Sequence, residues 1–170
     1  AIAGTPTILA ADIQGGGVVC TAAAATDTHG FIANPGSSGS ASPTGGCIVP
    51  SAGTQIWFEI LWKQTLQTST LGSSFTGLAT QATGMTTTGA LTPTDYIGFQ
   101  ALDASTVKCT YLNQGATLYV DSTKITDIVS PQYYRLGFYI DGLNSVTPYI
   151  NGSRLTTITA TSTKSIPDAV

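Results

Sequence analysis

Charge is what this sequence has least of. Of its 170 residues, six are Lys or Arg and nine are Asp or Glu, 9% in all, against roughly 25% in an ordinary globular domain. The net charge is -3. Six scattered cations do not make the Lys/Arg cluster that counterion release from a phosphate backbone requires, which excludes nucleic-acid binding as the main activity. There is one His, one Met and one Glu (Glu59), so acid–base catalysis and metal ligation have few groups to draw on. No cofactor and no metal are expected. The three cysteines, Cys20, Cys47 and Cys109, are odd in number and widely spaced, unlike a disulfide framework or a zinc site. Buried free thiols are expected, with a Cys20–Cys47 bridge as the alternative. No run of about 18 apolar residues occurs, so no membrane-spanning helix is expected. The first residues lack a basic start followed by an apolar stretch, so no signal peptide is read there.

Neutral polar residues take the place of charge. The chain has 29 Thr, 15 Ser and 19 Gly. Thr is β-branched and suits strands, whereas Ser and Gly suit turns. A Thr-coated surface dissolves in water yet costs little to desolvate compared with Lys or Glu. It is easily buried against a partner.

The periodicity is that of strands. In "IWFEILWK", Ile56, Phe58, Ile60 and Trp62 share one face, and Trp57, Glu59, Leu61 and Lys63 share the other, the two-residue period of a sheet. "SSFTGLATQ" reads as a strand and "TGMTTTGALTPTD" as a loop. "YIGFQAL", "TVKCTYL" and "ATLYVD" read as a three-stranded meander, with Val107, Cys109 and Tyr111 on one face, Leu118 and Val120 on one face, and a turn at "NQG". "YYRLGFYID" places Tyr134, Leu136, Phe138 and Ile140 together, and Asp141-Gly142 opens a turn into "SVTPYI", with Val146, Pro148 and Ile150 on one face. Asn151-Gly152 is the strongest hairpin signal, because both residues tolerate positive φ. "SRLTTI" is the return strand. Pro148 cannot donate to a ladder, so its strand is expected at an edge or with its amide position turned outward. No amphipathic helix is read. The expectation is an all-β, antiparallel two-sheet β-sandwich of about ten strands. Residues 1–54 would form an Ala/Gly/Thr-rich arm and the first strands, and residues 55–170 the core of the same single domain.

"YYRLGFYIDGLNSVTPYINGSRLTTI" resembles the concanavalin A-like, laminin-G-like jelly rolls, in which a strand ending in Gly-Phe leads through a turn to a strand ending in Asn-Gly and a return strand. "IWFEILWK" looks like that group's earlier aromatic-acidic strand. More narrowly, "LGFYIDGLNSVTPYINGSRLTT" with the later "IPD" resembles structural proteins of tailed-bacteriophage virions carried on the head as decoration or cement. The resemblance covers roughly residues 55–168. It implies a jelly roll and a structural role on the virion capsid surface, made in the host cytoplasm. The implied partners are the major capsid protein and further copies of the chain, with a trimer as one arrangement.

Catalytic constellations known in that group are incomplete here. Its glucanases carry Glu-x-Asp-x-x-Glu on one strand, and Glu59 stands alone. Its polysaccharide lyases carry Tyr-Phe-Lys-x-Gly-x-Tyr, loosely echoed by Tyr133, Tyr134, Arg135, Gly137 and Tyr139, together with a Gln-x-His pair absent from this chain. His29 has no Gly-x-Ser-x-Gly partner for a triad. Asp141 with Asn144, and Asp121 with Asp127, are close in sequence but lack the Asp-x-Asp-x-Asp pattern of calcium loops, and Asp at strand ends is common turn chemistry. Asn151-Gly152-Ser153 fits a glycosylation sequon, and the hairpin explains the same residues.

The candidate binding residues are Trp57, Tyr133, Arg135, Tyr139 and Tyr149, which share outward parity on their strands. Such aromatics anchor protein interfaces or stack on sugar rings. The reading is a non-enzymatic head decoration or cement protein that binds capsid and itself. The alternative is a carbohydrate-binding, lectin-like module on a phage fibre or secreted protein, taking a host-surface glycan. A polysaccharide lyase ranks third.

Overall fold

The computed structural model of the chain describes residues 50–64, 74–79, 95–101, 106–112, 119–127, 129, 132–161 and 166–167, with three two-residue ladders outside these spans. Those ladders pair Ile2–Ala3 with Gly30–Phe31, Leu9–Ala10 with Val18–Val19, and Thr86–Thr87 with Ala90–Leu91. The last lies in a segment expected to be loop. Cys20, Cys47, His29 and the "NQG" turn fall outside the described residues.

The described residues contain strands and no helix. Nine strands build two antiparallel sheets. They are β1 (Gln55–Trp62), β2 (Ser74–Ala79), β3 (Tyr96–Ala101), β4 (Thr106–Leu112), β5 (Tyr119–Asp127), β6 (Tyr134–Asp141), β7 (Ser145–Ile150), β8 (Ser153–Arg154) and β9 (Ile158–Thr159). One sheet has the order β5-β4-β3-β2. The other has the order β8-β7-β6-β1, with β9 also against β7. The fold is therefore an all-β, two-sheet antiparallel sandwich.

The core lies between the sheets. Ile97, Phe99, Val107, Cys109 and Tyr111 come from one sheet, and Leu136, Phe138, Ile140 and Val146 from the other; all are buried. Phe138 is central. It stacks on Phe58 with centroids 4.8 Å apart and meets Phe99 of the facing sheet at 6.0 Å. Each such ring contributes about 1.5–3 kcal/mol by leaving water. The faces expected for "TVKCTYL" and "YYRLGFYID" are the buried ones. The Cys109 thiol is buried and in no disulfide. Tyr134 keeps its ring in the core while its hydroxyl donates to the Asp127 carbonyl at 2.8 Å and accepts from the Val129 amide at 2.9 Å. It thereby ties the crossing from β5 to β6.

Three details depart from expectation. β5 runs from Tyr119 to Asp127, beyond "ATLYVD", and its pairing with β4 slips between Val107 and Lys108 and again before Thr110. Pro148 is not in an edge strand, because β7 has β6 on one side and β8 and β9 on the other. Its ring nitrogen faces the return strand. The Pro148 carbonyl accepts the Leu155 amide at 2.9 Å, but there is no N–H to answer. The return strand breaks there into β8 and β9, whose registers against β7 differ by one residue.

Candidate functional site

The outer face of the β8-β7-β6-β1 sheet collects the five candidate residues on one side. Register sets them in rows. Trp57 lies opposite Tyr139, and Tyr139 opposite Thr147. In the next row come Glu59, Gly137, Tyr149 and Arg154. Leu61 lies opposite Arg135. One residue beyond the paired strands, Lys63 sits with its ammonium 4.7 Å from the Tyr133 ring centre, a cation–π contact. Alternate residues of a strand share a face, so this grid follows directly from the two-residue period.

Gly137 shapes the middle of the grid. A side chain there would bring its Cβ to 3.0 Å from the Phe58 carbonyl and 3.5 Å from Cζ2 of Trp57. The missing side chain gives the Trp57 indole room to lie over the backbone of β6. From there it reaches Tyr149, two strands away, with centroids 4.9 Å apart and planes at 63°. Trp57 remains 52% exposed. Tyr139 stands beside it, half-buried. Partial burial raises the Tyr139 phenol above its ordinary value first, with the nearby Asp141 charge and Tyr149 adding to the shift. The shift moves its ionisation further from physiological pH, where any tyrosine is already neutral.

Polar groups flank the aromatics. Arg135 Nε lies 3.8 Å from Glu59 Oε1, both side chains well exposed, so the pair orients more than it stabilises. The Arg135 guanidinium also covers the Asn151-Gly152 turn. Asn151 has φ 50° and Gly152 φ 83°, the positive values of a tight hairpin turn. The turn is tied to β6 twice: the Arg135 amide donates to Asn151 Oδ1 at 2.9 Å, and the Asn151 amide donates to the Arg135 carbonyl at 2.7 Å. On the far side, Arg154 Nη2 donates to Thr157 Oγ1 at 2.9 Å, and the Thr147 and Thr157 hydroxyls are 2.9 Å apart.

Of the five candidates, Trp57, Tyr139 and Tyr149 form one cluster, Arg135 borders it, and Tyr133 lies at the end of the strand with Lys63. Leu61, 66% exposed on the same face, was not among the candidates. Its parity with Trp57 in "IWFEILWK" is the signal that marks it. No group of three or more His, Cys, Asp or Glu suited to a metal occurs among the described residues. Asp141 and Asn144 instead close the β6–β7 turn, the Asn144 amide donating to the Asp141 carbonyl at 3.0 Å. Comparison with known proteins returns no match: no protein-family model, curated protein or solved structure is significantly similar to the chain.

Proposed function

We propose that the chain is a non-enzymatic structural protein of a bacteriophage virion, a head decoration or cement protein that docks on the major capsid protein. The docking surface is the outer sheet face around Trp57, Tyr139 and Tyr149. The observation that supports this reading is the exposed Trp57 indole, packed against Gly137 and Tyr149 on the outer face. Exposed aromatic anchors gain by leaving water when a partner covers them. Repetition over a symmetric shell multiplies a modest contact into firm attachment. The jelly-roll resemblance of residues 55–168 points the same way.

The test is co-sedimentation of the purified chain with phage heads that lack it. Saturable binding is expected, weakened at least about tenfold by Trp57→Ser. A second reading, a glycan-binding module, draws on the same aromatics. Trp57 and Tyr149 meet edge to face, so they do not form one flat platform for a sugar ring, and this favours a protein partner. Saturable binding on a glycan array without affinity for heads would replace the capsid reading with the lectin one.

A further inference from the structure

β1 has a second surface, the backbone edge that no strand pairs among the described residues. In an antiparallel ladder a residue's N–H and C=O point to the same side, and successive residues alternate. The Gly142 amide donates to the Thr54 carbonyl at 2.8 Å, which sets the phase: even-numbered residues of β1 turn their backbone groups toward β6. The backbone groups of Trp57, Glu59 and Leu61 therefore point away from β6, and no strand lies on that side among the described residues.

Sheet edges are ordinarily blunted by bulges, brevity, charge or proline. β5 has register shifts, β8 and β9 are two residues each, and β2 carries a central Gly77. β1 pairs in unbroken register over eight residues with no Gly or Pro. Its one charged residue, Glu59, lies on the outer face beside Arg135.

We propose that β1 pairs with β1 of a second copy, antiparallel across a two-fold axis through Leu61. This deepens the assembly reading above by naming a partner, a second copy, and the strand that receives it. The register follows from charge and exposure. With Leu61 opposite Leu61 of the second copy, Glu59 of each chain lies opposite Lys63 of the other, two symmetric pairs of opposite charge. Leu61, the most exposed large hydrophobic residue described, is covered by its counterpart. On the inner face Ile60 lies opposite Trp62. The facing residues are odd-numbered on both chains, so the hydrogen-bonding phase agrees. Moving the axis to Glu59 sets like charges against each other, which is destabilising. The pairing is isologous and closes as a dimer. A strand-to-strand contact of this length is smaller than a standard interface, so the dimer is expected to be weak in free solution and reinforced on a shell.

Sedimentation of the whole chain tests this. A concentration-dependent monomer–dimer equilibrium through the micromolar range is expected. Leu61→Lys and Glu59→Lys each should leave a monomer with an unchanged thermal midpoint. Glu59→Lys combined with Lys63→Glu should restore the dimer. A wild-type chain that stays monomeric, because its own remaining residues or another protein cover β1, overturns the proposal, as does a trimer or a dimer indifferent to Leu61→Lys. Head binding distinguishes this failure from that of the capsid reading, since Leu61→Lys removes pairing while Trp57→Ser removes docking.

Discussion

Trp57 rests its indole across the backbone of Gly137 and meets Tyr149 edge to face, with ring centroids 4.9 Å apart. The contact spans two strand-to-strand steps, from β1 over β6 to β7. A β-carbon on the residue between would already touch the indole, 3.5 Å from Cζ2 of Trp57, so a larger side chain would meet it. Replacing Gly137 with Val puts methyl groups where the indole lies, and over-packing of this kind costs about 1–3 kcal/mol. The expected result is a loss of near-ultraviolet ellipticity, red-shifted tryptophan emission and weaker head binding. Unchanged emission would show that the indole does not depend on Gly137.

The core and the outer face of β6 should respond differently. Phe138→Ala removes the ring stacked on Phe58 and touching Phe99 and should cost about 3–5 kcal/mol. Tyr139→Ala, one residue on and facing outward, should cost less than about 1 kcal/mol, as surface changes do. Urea denaturation of the two variants measures the difference directly.

The Asn151-Gly152 turn carries both a backbone and a side-chain requirement. Asn151→Ala keeps a β-carbon at φ 50° without the local side-chain hydrogen bonding that lets Asn tolerate it, and removes the acceptor of the Arg135 amide. A loss of about 1–3 kcal/mol is expected from the two effects together. Asn151→Gly relieves the conformation but still lacks the acceptor, so it should fall between Ala and wild type. Equal losses for Ala and Gly would assign the whole effect to the hydrogen bond.

Two phenols set an alkaline limit. Burial raises Tyr96, partly offset by its hydrogen bond to Thr110, and burial with Asp141 and Tyr149 raises Tyr139. A phenol whose folded value lies above its unfolded value binds its proton more tightly when folded. Its contribution is complete below the unfolded value, near pH 10, and is lost as pH rises through the folded one. Stability measured against pH should therefore decline above about pH 10. Tyr96→Phe should flatten that decline more than Tyr139→Phe, because Tyr96 is almost wholly buried.

Much of the architecture was legible in two short stretches. In "IWFEILWK" and "YYRLGFYID" the two-residue period alone separates inner from outer face, and the structure buries Tyr134, Leu136, Phe138 and Ile140 while leaving Trp57, Arg135 and Leu61 outside. Asn151-Gly152 announced its turn through the one conformation both residues tolerate. Cys109, Val107 and Tyr111 were placed in the core on the same grounds. For Pro148 the edge alternative failed, because the missing N–H is accommodated by a break of the return strand into β8 and β9, and sequence does not show which neighbour absorbs the loss. Leu61 shares the parity of Trp57, and its exposure in the folded chain marks it as part of the outer face.

The sequence by itself determined the strands, their faces and the tight turns, because these depend on side-chain alternation and local φ preferences within a few residues. Which strands become neighbours was decided by the tertiary structure. β1 and β6 are more than seventy residues apart in the chain, and only packing around Phe138 brings them side by side. That pairing puts Trp57 next to Tyr139, opens the path over Gly137 to Tyr149, and leaves the other edge of β1 unpaired among the described residues. The scarcity of charge is a property of composition, whereas the order of strands decided that Glu59, Arg135 and Arg154 share the outer face with Trp57.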